Sequence, residues 1–91
     1  MFKLPDQLTI AQVGDCKVKL LIEIDENDVI SFDDSDVTII DTVGVQLLLA
    51  AVTYIALQNK ELNWISTSSV IQKSVKQLGL NEAILNQYLN A

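Results

Sequence analysis

The chain reads as an α/β domain with a small, mostly parallel sheet of about three or four strands and about four helices, and three observations predict this. Short extended apolar runs alternate with longer segments whose apolar residues recur at helical spacing. Cap signatures stand at the starts of several helical segments. No low-complexity linker, internal repeat or composition shift divides the 91 residues, so residues 1–91 are read as one domain.

Taken in order, Phe2 to Leu4 is a short extended piece ended by Pro5. Thr9-Ile10-Ala11-Gln12 has the form of a capping box, a hydroxyl cap with Gln three residues on, and opens a helix. Its apolar positions are Ile10, Val13, Cys16 or Lys17, Leu20, Leu21 and Ile24. Over residues 17–24 there is a conflict, because Val18, Leu20, Ile22 and Ile24 also alternate as in a strand, and Gly14 costs a helix interior about 1 kcal/mol relative to alanine. The helix is the preferred reading.

Val29 to Phe32 is a buried-strand candidate bounded by Asn27-Asp28 and Asp33-Asp34-Ser35, and Val37 to Ile40 is a second extended piece. Val45, Leu48, Leu49, Val52, Ile55 and Ala56 then recur at helical spacing as far as Asn59-Lys60. Leu62 to Ser66 is the next strand, with Trp64 assigned to its core side. Ser69 to Gln72 is another capping box, and Ile71, Val75 and Leu78 stripe the helix it opens. Gly79 stops that helix with Leu80 beyond it, and Asn81 caps a last short helix carrying Ile84, Leu85, Tyr88 and Leu89. The alternation implies parallel strands joined by crossover helices.

Composition excludes several functions. The net charge is −6, with no arginine or histidine, and no basic residue lies between Lys19 and Lys60. The same interval holds Glu23, Asp25, Glu26, Asp28, Asp33, Asp34, Asp36 and Asp41, so nucleic acid is disfavoured and free nucleotide would meet repulsion. The longest apolar stretch, Val43 to Val52, is interrupted by Gln46, and no span of ~20 apolar residues exists. The start of the chain lacks the pattern of a secretory signal, and a lone Cys16 fits a reducing compartment, so a cytoplasmic location is expected. Cys16 reads as a small buried hydrophobe with no histidine to act as its base. Asp33-Asp34-Ser35-Asp36 lacks the ligand spacing of a calcium loop and reads as a solvated turn. No enzyme activity, metal or cofactor is expected.

Asp41-Thr42-Val43-Gly44 is the segment that points to function. It turns an extended run directly into a long helix, placing a hydroxyl and unpaired backbone N–H groups at a helix N-terminus suited to an anion or a partner's carboxylate. Thr42 or Asp41 can equally serve as the helix cap.

Ile39-Ile40-Asp41-Thr42-Val43-Gly44-Val45-Gln46-Leu47-Leu48-Leu49 resembles the strand-to-helix signature of STAS domains, the family of sulfate transporters and anti-sigma factor antagonists. Asn63 to Ser66, followed by Ile71 to Leu80, is similar to that family's next strand and helix. The resemblance implies the STAS fold and a non-catalytic protein-protein interaction module. It places the partner-binding surface at Asp41, Thr42, Val43 and Gln46, with Asp34 and Ser35 in an adjacent acidic rim. The implied partner is a kinase-type anti-sigma factor, a chemotaxis kinase or an ABC ATPase. In anti-sigma factor antagonists the phosphorylated hydroxyl precedes the motif glycine; here that position is Val43, and the hydroxyl stands one place earlier. That leaves Thr42 as the candidate phosphorylation site, where phosphate would add about −1.5 to −2 charge beside Asp41. Asp41-Thr42 is similar in arrangement to the STAS subunit of the bacterial lipid-asymmetry ABC transporter, where the threonine belongs to the surface docking the ATPase. Nucleotide binding, proposed for some STAS domains, would need a basic or glycine-rich cradle, which the chain does not show.

Overall fold

The computed structural model describes residues 2–65 and 69–77. In chain order it holds β1 (Phe2–Lys3), β2 (Gln7–Leu8), α1 (Ile10–Glu26), β3 (Val29–Asp33), β4 (Ile39–Ile40), α2 (Thr42–Leu57), β5 (Glu61–Ile65) and α3 (Ser69–Gln77). The expected last helix, with Gly79 and its apolar contact, lies outside the described residues.

All pairing among the described residues is parallel. One sheet has the order β1-β3-β5 and a second pairs β2 with β4. The two ladders are successive stretches of the same two segments: residues 2–8 run beside residues 29–41 and change partner at Pro5, which has no N–H to give. Leu4 N donates to Asp33 O at 2.9 Å before the break, and Thr38 N donates to Asp6 O at 2.8 Å after it. Sequence reading found the first stretch and missed β2, because two residues have no periodicity to detect. It also placed β4 from Val37; only Ile39–Ile40 is strand.

The strand order advances in one direction, and right-handed crossovers then put α1 and α2 on the same side, where they touch. Ile30, Phe32 and Leu62 face those helices and are buried. An aromatic row crosses all three strands in register, with Phe2 to Phe32 at 6.2 Å and Phe32 to Trp64 at 5.7 Å in tilted and edge-on contact. Val29, Glu61, Asn63 and Ile65 alternate onto the other face and are exposed. Val29 therefore does not belong to the core, contrary to the expectation of a strand buried along its length.

Helix α1 settles residues 17–24 as helix, and Cys16, Leu20 and Ile24 are its buried stripe. Ile10 and Leu21, expected inside, are exposed. Cys16 rather than Lys17 faces the core, and burial pushes its thiol pKa up against the opposing pull of Lys19. Helix α2 ends where Asn59 takes a left-handed φ of 56°; Asn59 N donates to Ala56 O and Lys60 N to Ile55 O, both at 3.1 Å. That is a Schellman closure with asparagine in the place usually held by glycine.

Candidate functional site

The corner begins with Leu8. Its carbonyl accepts from Asp41 N at 3.2 Å, which fixes the end of β4 against β2. Three residues on, Gly44 lies against the same carbonyl so closely that a Cβ there would stand 2.1 Å from Leu8 O and 2.9 Å from Ile40 Cγ1. The motif glycine thus exists to let the first turn of α2 rest on backbone.

Asp41 is extended (φ −112°, ψ −176°) and caps α2, its Oδ1 accepting from Gly44 N at 2.9 Å. Its Oδ2 accepts from Ile10 N at 2.9 Å, at the start of α1. One carboxylate therefore closes two helix N-termini, where the partial positive charge of each favours an anion. The Thr9 side chain makes no capping bond, so the expected capping box is corrected: Thr9 holds the cap position and Asp41 performs the function from another segment.

These bonds, Gly44 first and Ile10 second, hold the Asp41 carboxyl below its ordinary value of 3.8. A depressed folded pKa contributes stability that is fully present above the unfolded value and lost as pH falls through the folded one. Acid unfolding of the wild type should therefore steepen below pH 3.8. Asp41→Asn, which cannot accept both N–H groups on oxygen, should melt lower at neutral pH and lose less on acidification; parallel pH slopes for the two proteins would refute the double cap.

Thr42 is the first residue of α2 and is exposed; Gln46, one turn later on the same side, is exposed too. Val43 is half-buried and Asp41 is turned partly inward. The idea of vacant N–H donors at this helix end needs revision, because Asp41 already occupies Gly44 N. An incoming phosphate or carboxylate would compete with a carboxylate in place. Both Asp41 oxygens are engaged, which suits the group to holding geometry rather than to taking a proton.

The acidic rim is also revised. Asp34 is 0% exposed and accepts from Trp64 Nε1 at 3.2 Å, so its side chain is not on the surface and the segment is no fully solvated turn. Trp64 is half-buried, on the strand that forms one edge of the described sheet. Ser35 and Asp36 are exposed. Ser35 N donates to Asp33 Oδ1 at 2.9 Å, a bond that lowers the Asp33 pKa, and Asp36 pairs with Lys3 at 3.3 Å.

Sequence reading missed Ile10, 74% exposed beside Asp41, and the exposed Ile39. Ile10 fits a helical template that does not mark which of its apolar sides is core, and Ile39 lies in a strand of two residues, too short for alternation to show its face. No helix among the described residues is long and apolar enough to cross a membrane. Comparison with family models, curated proteins and solved structures gives no match.

Proposed function

We propose that the chain is a STAS-type interaction module without chemistry of its own, which docks a regulatory kinase or an ATPase through the Asp41–Gln46 corner. One observation carries the reading. Thr42 and Gln46 stand exposed one turn apart on a corner whose backbone is fixed by Asp41 and by the Gly44 contact, so a partner meets a surface that needs no ordering on binding. Within this reading Asp41 supports the surface, while Thr42, Gln46 and the exposed Ile10 and Ile39 around it make the contact.

The anti-sigma antagonist form of the proposal has Thr42 accept phosphate. With Asp41 occupying the neighbouring donors, that phosphate would face like charge and switch docking off. The transporter-subunit form has Thr42 unmodified and the ATPase bound constitutively.

Thr42→Glu is expected to leave the fold intact, because the first turn of a helix accepts an acid. The same change should weaken partner binding by more than about tenfold. The measurement is affinity capture from a lysate of the native host, with wild type and Thr42→Glu side by side and mass spectrometry of what is retained. A kinase-type partner lost from the variant supports the antagonist form. An ATPase held by wild type with no phosphate on Thr42 supports the transporter form. Equal capture of the same partner by both proteins would remove the corner as the interface.

A further inference from the structure

Helices α1 and α2 run side by side in the same direction, pinned at their starts by Asp41 on Ile10 N and near their ends by the Tyr54 hydroxyl, which donates to Asp25 Oδ1 at 2.9 Å. Between the pins lies an open groove of about 270 Å³ walled by Lys17, Leu21, Leu47, Ala50 and Tyr54. Val18, Leu21 and Ile22 are 59%, 39% and 52% exposed along α1. From Thr42 to Leu57 helix α2 contains no Asp, Glu, Lys or Arg, and Leu57 is 77% exposed. An exposed helix is ordinarily charged on its outer side, and one that is not has a surface suited to burial.

We propose that this outer face binds a second copy of the chain, by a two-fold antiparallel apposition centred near Leu21 and Ala50. The inference does not rest on the corner reading, since the corner lies at the helix starts and this face covers their middles.

Charge selects the occupant. Each copy carries −6, so approach through most of the surface brings acids together, whereas α2 has nothing to repel its own image. On α1, Lys17, Leu21 and Asp25 lie four residues apart on one side, a cation and an anion about 6 Å to either side of an apolar centre. A two-fold axis through Leu21 sets Lys17 opposite Asp25 of the second copy, and the same pair forms again across the axis. Among the described residues Lys17 makes no ion pair within its own chain. Two adjacent helices present a face about 20 Å wide and about 24 Å long, small for a permanent dimer, so association in the micromolar range is expected.

The test is sedimentation equilibrium of the whole chain from low micromolar to several hundred micromolar. Wild type should rise from 10.1 kDa toward twice that mass. Ala50→Lys, which puts an unpaired cation at the centre, should weaken association at least about tenfold without lowering the monomer's melting point. Measured in a Tyr54→Phe background, so that every variant lacks the Tyr54–Asp25 bond, Lys17→Glu alone should weaken it, and Lys17→Glu combined with Asp25→Lys should restore it, because the swap rebuilds both pairs. A mass of 10.1 kDa at every concentration would overturn the proposal and leave the groove to a helix of another protein. A dimer indifferent to Ala50→Lys, or one that the double swap fails to restore, would overturn it as well.

Discussion

Gly44→Ala should destabilise the domain by at least about 3 kcal/mol, at or beyond the top of the usual overpacking range of ~1–3 kcal/mol. The added methyl would lie 2.1 Å from Leu8 O and 2.9 Å from Ile40 Cγ1. A flexible side chain can move away from such a contact, but Leu8 O is backbone and is held by Asp41 N. Relief requires lifting α2 off β2, which pulls Asp41 away from Ile10 as well. With ~4–8 °C lost per kcal/mol in a domain of this size, the midpoint should fall by more than about 12 °C. Gly14→Ala is the internal control, since a Cβ there meets nothing within 4 Å. It should be neutral or stabilising, by up to about 1 kcal/mol. If the two alanines melted alike, the close seating of α2 on Leu8 would be wrong.

Leu48→Ala should cost about 2–5 kcal/mol, the range for a fully buried leucine that leaves a cavity. Leu48 is 1% exposed and sits among Val45, Val52 and Ile55 on the buried side of α2, where the helix meets β5. Leu49, beside it in sequence, is only half-buried and packs against the edge of the core, so Leu49→Ala should cost distinctly less. Urea titration of the pair separates them. Equal losses would mean that α2 is rotated from its described orientation.

The alternation of strands and helices was legible because the helices are long and their apolar residues keep to one period. Leu20, Ile24, Leu48 and Ile55 were placed inside by pattern and are inside. What failed was local inference applied to groups whose partners are remote. Thr9 looks like a cap and holds the position without making the side-chain bond: Gln12 N donates to the Thr9 carbonyl instead, and the Ile10 N–H is met by Asp41. Asp34 looks like part of a solvated acidic run, and no neighbour in sequence announces that Trp64 will meet it 30 residues later. Ile10 and Leu21 satisfy a helical template that cannot tell the core-facing side from a second apolar side, and α1 has both. At the corner, the residues that expose themselves, Thr42 and Gln46, were identified. The reason the corner is rigid, one carboxylate shared by two helices, required the fold.

Helix α1 has no acid in its first turn and no base in its last, so its own sequence supplies nothing to oppose its dipole. Asp41 provides the negative end from 31 residues away, and Lys60 Nζ provides the positive end by donating to Ile24 O across 36 residues. Loop closure must precede either bond, so neither can help α1 to form early in folding. Asn27 caps the far end locally, its Nδ2 donating to Glu23 O, but the charges that oppose the dipole at either end arrive only when β4 and the α2–β5 turn have docked. A chain interrupted before Lys60 would contain every residue of α1 and its Asn27 cap, and still lack the cation that answers the helix's negative end.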